Sequence, residues 1–496
     1  MKIIRARRSF PVSLLGLLFT MTVASAQTGQ FHGTVTKFDR DQCFVLDRFP
    51  ENSGAKYKAK DSDQEQKLCK VDFRDKNVGL CPKTWSTSPG TIVYDISQSK
   101  YSGKPDAFET EYCPAQRKLK GKVAGVQKLA SYKQSINGQF NQRTSATYAQ
   151  ASPLYYHFSR YLNATVDIPV AVIRTMDAQE HFRRVTTRAH TIVSSGMIAN
   201  GWNVVTSAEK NPAGYLPTDE FYYGDPKDGL LYGMMAKGPG TRYGAEFYGN
   251  IVGKGYSEQY AAWQKSAAFL ALTSSAALPD AIDPAITSSK NDPVVARALG
   301  KSVSNEQMVL WMKEMSDILL LDYIFNQQDR PGNVDYLWVW YWVDGSGKLQ
   351  AAKVDSEVAR TGMDSIQLPD DLKQTSRHFL LQKTQINDND AGGRKYSNFT
   401  KKFGLLEKQR HLSAVTYRQL VRLARDFQAR GPLYAYLRDT FDLSGAYVDG
   451  IAQNTIQAAE IMKTACKSNS MKFDLDPDAF LTTGKIQATP VDCENP

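Results

Sequence analysis

The chain has 496 residues, 42% of them hydrophobic and 23% charged, with a formal net charge of +10. That balance suits substantial buried cores and excludes an intrinsically disordered chain. Its basic side chains are scattered rather than massed, which argues against nucleic-acid binding and leaves mild attraction for anionic groups.

In chain order, Lys2, Arg5, Arg7 and Arg8 precede an apolar run over residues 12–23 and the small-residue triplet Ala24-Ser-Ala26. This is the pattern of a cleaved signal peptide spanning 1–26, too short for a comfortable bilayer span. It predicts a secreted or periplasmic protein beginning near Gln27. Removing four basic residues and no acids lowers the net charge to about +6. No later run is apolar enough to predict a membrane span. All six cysteines follow this leader, as disulfides in an oxidising compartment require. We expect Cys43, Cys69, Cys81 and Cys113 to pair among themselves and Cys466 to pair with Cys493. The absence of any C-x₂-C spacing or histidine cluster argues against zinc.

Residues 27–115 read as a β-rich, disulfide-stapled N-terminal segment and 116–200 as a small lobe. The Gly- and Pro-rich stretch 201–300 reads as a linker or insertion over a cleft, 301–465 as a helical lobe, and 466–496 as a tail. Within the small lobe, 126–136 reads as a strand, 152–162 as a helix with Pro153 in its first turn, and 167–173 as a strand. His157, in the apolar-aromatic part of that helix, reads as a packed core histidine. Ser304 and Gln307 have capping-box spacing, and apolar residues then recur at helical period to about Asn326. After the loop Asp329-Arg-Pro-Gly-Asn333, residues 334–342 are β-branched and aromatic, a strand signature. The turn Asp344-Gly-Ser-Gly347 leads to a partner strand, 348–354. Such a hairpin is expected to return Asp355 to Asp329 and Asn333, two carboxylates and an amide able to chelate a divalent cation. Asp388-Asn-Asp390, followed by Ala-Gly-Gly393, reads more readily as a turn than as a cation site.

The run Leu320-Leu-Asp-Tyr-Ile-Phe-Asn-Gln-Gln-Asp-Arg-Pro-Gly-Asn333 resembles the catalytic loop of atypical kinases: the secreted Golgi-type kinases, the phosphatidylinositol kinases and the HipA-type kinases. Lys353-Val-Asp355 resembles their metal-binding strand end. The match is strongest over 300–360 and weaker over 120–180. Asp329 to Asn333 is one residue shorter than the usual spacing, and Pro331 stands where several of these families carry His. The resemblance implies an α+β, two-lobed kinase-like fold with a small β-rich lobe and a larger helical lobe, behind the disulfide-stapled extension. It implies a metal-dependent phosphotransferase moving phosphate from ATP or another nucleotide to a hydroxyl of a protein, lipid or glycan.

In that scheme Asp329 orients or deprotonates the acceptor, while Asn333 and Asp355 hold Mg²⁺ or Mn²⁺. Lys133, with Lys128 as the alternative, grips the phosphates below a loop containing Gly121 and Gly125. The helix at 152–162 is where these families offer a Glu to the lysine, but here the positions are Gln150 and Ser152, leaving Glu180 or Glu246 to supply it from elsewhere. Two other readings stand beside this one. One is a nucleotide-binding pseudokinase or scaffold without turnover. The other is an envelope protein that binds glycan through an aromatic row at Trp338, Trp340 and Trp342. Neither a G-x-S-x-G elbow nor an HExxH zinc pair is present to suggest a hydrolase.

Overall fold

A computed structural model describes residues 31–136, 147–214, 221–238, 240–251, 253, 255–355, 358–359, 363–375, 377–390 and 397–496. The signal peptide expected at 1–26 lies outside them. The fold is mixed α+β, with two antiparallel sheets and many helices. The first sheet has seven strands: β1 (Gly33–Lys37), β2 (Gln42–Leu46), β3 (Val78–Pro82), β4 (Thr91–Asp95), β5 (Gln127–Gln134), β6 (Ala171–Asp177) and β7 (Leu230–Ala236), ordered β1-β2-β6-β7-β5-β4-β3. It draws on all three stretches that the sequence divides at 115 and 200. The cysteine-rich segment supplies β1 to β4. The expected linker supplies β7, a central strand hydrogen-bonded to β5 on one side and β6 on the other. Burial explains why β7 reads poorly as a strand: with both faces covered it lacks a polar alternation.

The strand expected at 167–173 begins later, at Ala171. Pro169 has no N–H for a ladder, and Asp167 instead bridges Gln385. Three disulfides join Cys43 to Cys69, Cys81 to Cys113 and Cys466 to Cys493, in the expected grouping. They tie β2 to the helix Ala59–Cys69, β3 to the turn at Cys113–Ala115, and the helix Gly445–Lys467 to the tail. No helix among the described residues is long and apolar enough to cross a membrane.

The second sheet contains β8 (Thr241–Arg242), β9 (Asp335–Val343), β10 (Leu349–Lys353) and β11 (His378–Gln385). One edge of β9 pairs with β11 along its length, while the other is shared end to end by β8 and β10. Against this sheet packs the central helix Asn305–Ile324, which is buried on nearly every side. Ser304 caps it by accepting from the Gln307 N–H at 3.1 Å, as the box spacing predicts. Gln307 does not close the box. Its amide clamps β11 instead, accepting from Gln382 N–H and donating to Gln382 O.

A helix this deeply buried can carry charges only where they are paired, and an unpaired acid there is kept protonated. Lys313 pairs with Asp317, whose carboxylate also accepts from the backbone of Thr165 and Val166. Glu314 accepts from Thr384 N–H at 3.0 Å, and burial pushes its pKa up to about 8. Asp322 takes Arg330. The buried polar groups of one helix thus tether the approach to β6, the end of β11 and the 329–333 loop to one frame.

Candidate active site

The 329–333 loop begins where the central helix ends, and Arg330 sets its position. The guanidinium is fully buried and makes a bidentate pair with Asp322, both bonds 2.8 Å, within reach of the Tyr155 ring. Tyr155 O–H donates to the same Asp322, joining the helix Ala151–Tyr161 to the arrangement. Arg330 also donates to Asp388 O and to Asn389 Oδ1, and Gln327 donates to Asp388 O. Burial of such a cation is tolerable because its donors are nearly all used. The consequence is positional: the loop after β11 is bound directly to the loop before β9.

The acidic partner that reaches this loop is therefore not Asp355. Residues 335 and 336 of β9 are already paired to β8, so the chain leaving β10 stops short, with Val354 N–H bound to Trp338 O. Asp355 is exposed there, two residues past the Lys353–Val339 pair and so level with Leu337 rather than with the 329–333 loop. The strand that returns to the loop is β11, whose Gln385 pairs with Asp335 and which delivers Asp388 and Asp390. The turn Asp388-Asn-Asp390 is the acidic corner of the site.

Lys133, on β5, points into the same place. Its Nζ lies 2.7 Å from Asp388 Oδ1 and 2.8 Å from Asp390 Oδ1. Burial disfavours its charge, but the two carboxylates outweigh that and raise its pKa. Burial likewise acts to raise Asp388, yet Lys133 and then Lys83 hold it well below the usual carboxylate range. Asp390 goes the other way, raised by burial and by its neighbour Asp388 despite Lys133. One oxygen of Asp390, Oδ2, is buried without a hydrogen-bond partner. Asp329 is half-buried, and burial together with the Asp388 and Asp390 charges raises its pKa to about 6. A carboxylate with that pKa is poised to take up a proton near neutrality.

Asn333 donates through Nδ2 to Asp329 O and accepts through Oδ1 from Arg242 at 2.8 Å. Arg242 also pairs with Asp335 at 2.9 Å. Lys128, Lys83 and Arg242 line one cleft with Lys133, Asp335 and Asp388, beside the apolar surfaces of Ala171, Met234 and Ala236. Burial, then Lys83 and Lys120, lower Lys128 to about 8, and burial lowers Lys83 too. Crowded, partly desolvated ammonium groups of this kind are stabilised by an arriving anion. The cleft encloses about 170 Å³.

Gly121 and Gly125 do not line the cleft. Gly125 has φ of +73°, and a Cβ there would lie 1.9 Å from Gln98 O, so its glycine serves a tight chain crossing. The turn that borders the cleft is 83–90, between β3 and β4, which contributes Lys83 and Trp85. The helix Ala151–Tyr161 presents no carboxylate. Ser152 lines the cleft, while Gln150 accepts from Ser135. Glu180 pairs with Arg183 and Arg184, and Glu246 caps its own turn at Gly244 N–H, so neither serves Lys133. His157 is a core residue, held by Tyr57 O–H at 2.7 Å, with burial depressing its pKa to about 3.

Among the described residues no group of three or more His, Cys, Asp or Glu side chains is arranged as a metal cage. The oxygen donors brought together here are the carboxylates of Asp388 and Asp390. Comparison with protein-family models, curated proteins and solved structures found no match for this chain.

Proposed function

We propose that this protein is an exported phosphotransferase with a two-lobed, atypical kinase-like fold, moving a phosphate from a nucleotide such as ATP to a hydroxyl acceptor. The observation that carries the reading is the convergence of Lys133 with Asp388 and Asp390 beside the 329–333 loop. A strand lysine, a loop carboxylate, a loop amide and a carboxylate after the following hairpin are the parts that kinase chemistry uses. The order β5, helix, β6 and β7, with β7 hydrogen-bonded between β5 and β6, supports it as well.

In this reading Lys133 moves from its carboxylates to the transferred phosphates, helped by Lys83, Lys128 and Arg242. Asp329 orients the acceptor hydroxyl and receives its proton. The acceptor oxygen bonds to the terminal phosphorus as the bond to the nucleoside diphosphate breaks. Arg330 acts through position alone, holding the 329–333 and 388–390 loops in register. Export is supported by the leader sequence and the three disulfides.

Mg²⁺ or Mn²⁺ would find donors in the unpartnered buried Oδ2 of Asp390 and the charged Asp388, and the amide oxygen of Asn333 would join them on leaving Arg242, which holds it at 2.8 Å. A hard cation with few protein ligands is usual where substrate phosphates and waters complete the shell. When bound, the ion supplies neutralisation of the phosphate charge. Asp388 thus replaces Asp355 in the proposed ligand set.

A second reading, a pseudokinase that binds nucleotide without turnover, is favoured by two observations: the helix Ala151–Tyr161 offers no Glu, and the cleft volume falls below the range typical of cofactor pockets. Transfer of labelled γ-phosphate to a hydroxyl acceptor, or to water, with Mg²⁺ or Mn²⁺ separates the two. Turnover that disappears in Asp329→Asn supports the enzyme. Nucleotide binding without any turnover supports the pseudokinase.

A further inference from the structure

Across Pro169 from the candidate active site lies a second, larger cavity of about 500 Å³, and Pro169 lines both. One wall is the helix Ala59–Cys69, where Lys60, Gln64 and Lys67 recur at i, i+4 and i+7 and so share a face, with Lys70 at the C-cap. Lys237, just after β7, and Lys353, at the end of β10, close the other side. Six basic side chains line the cavity against two acids, Asp61 and Asp167.

Both acids are committed. Asp61 takes two hydrogen bonds from Arg160, at 2.8 and 3.1 Å. Asp167 takes Lys353 at 2.9 Å and Gln385 at 2.8 Å, with Lys58 at 3.7 Å. Among the described residues Lys60, Lys67, Lys70 and Lys237 have no ion-pair partner. Burial lowers the pKa of Lys60, and the charge of Lys353 lowers it further. Lysines at a helix C-terminus complement its dipole, which accounts for Lys67 and Lys70. It does not account for Lys60 or Lys237, nor for their convergence on a concavity with an apolar floor of Leu68, Val71, Leu129 and Val170.

We infer that this cavity binds a small cyclic polyanion, a ring carrying several phosphate or sulfate groups, with its oxyanions on Lys60, Lys67, Lys70 and Lys237 and its ring face on the apolar floor. The size matches ligands of that class. Mixed cationic and apolar lining selects a compact ring over a free inorganic anion.

The test is calorimetry on the full oxidised chain at physiological salt, with inositol hexakisphosphate as the phosphate arm and sucrose octasulfate as the sulfate arm. Saturable binding of either at one site per chain is expected, and the tighter arm identifies the oxyanion. Lys67→Glu with Lys70→Glu should weaken it by about tenfold or more. Lys118→Glu with Lys122→Glu, an equal charge change on exposed residues elsewhere, should leave it unchanged. So should Lys83→Glu in the neighbouring cleft, which separates this site from the nucleotide reading. Absence of binding in both arms, equal weakening in the remote pair, or loss in Lys83→Glu overturns the assignment.

Discussion

Replacing Lys133 by Met tests the electrostatic frame of the site. The methionine fills similar volume but leaves Asp388 and Asp390 facing each other in a buried setting, with side-chain exposures of 27% and 3%. Removing one member of a buried pair costs about 3–5 kcal/mol. The low end applies here, because Asp388 keeps partial solvent contact and the Lys83 charge. The loss should depend on pH in a defined direction. In the native chain Asp388 is held below its ordinary value, so its contribution is complete above about pH 3.9 and is lost only as pH falls through the depressed pKa. In Lys133→Met the larger of the opposing charges is gone, so burial raises both carboxylates relative to the native chain. The variant is therefore penalised most at neutral pH and recovers relative to the native chain on acidification. Lys133 has a raised pKa, so its own contribution persists through neutrality and fades only above about pH 10.4, its ordinary value. Urea denaturation of the oxidised chain at pH 7 and pH 5 reads the difference. We expect about 3 kcal/mol at pH 7 and a clearly smaller gap at pH 5. A gap of the same size at both would mean that Lys133 contributes packing alone and that the ion-pair argument is wrong.

Other expectations follow from the same geometry. Transfer activity should rise with pH through about 6 as Asp329 loses its proton; a flat profile between pH 5 and 8 would remove it as the base. Arg330→Lys keeps the charge but loses the bidentate geometry with Asp322, and should cost about 3 kcal/mol in denaturation and lower turnover more than it weakens nucleotide binding. An unchanged turnover would contradict its positioning role. Removing the Cys466–Cys493 bridge by Cys466→Ser with Cys493→Ser should lower stability by about 2–4 kcal/mol, because it releases the tail. Nucleotide affinity should stay unchanged, and a large affinity loss would show that the tail communicates with the cleft.

The central helix, β9 and β10 were legible in the sequence because their signals are local. Ser304 and Gln307 mark a helix start, and the aromatic, β-branched run after Asn333 marks a strand wherever it folds. The strand that carries Lys133 and Lys128 was legible for the same reason. Asp355 misleads in the sequence because the hairpin looks complete after β10. Which edge of β9 faces the 329–333 loop is decided by β8 and β11, both distant in the chain, and no periodicity reports that choice. Asp388-Asn-Asp390 was visible but ambiguous, since the same residue types make an ordinary turn. The loop at 83–90 carries Ser, Thr and Pro with a single glycine, so composition pointed instead to Gly121 and Gly125. The membership of β7 in the large sheet was hidden because a strand buried on both faces carries no alternating pattern.

The most direct measurement is calorimetry of nucleotide binding with and without Mn²⁺ in Asp388→Asn and Asp355→Asn, each compared with the native chain. The Mn²⁺-dependent component is expected to disappear in Asp388→Asn and to persist in Asp355→Asn. Its persistence in Asp388→Asn, or its loss in Asp355→Asn, would contradict the assignment of the acidic corner to the loop after β11.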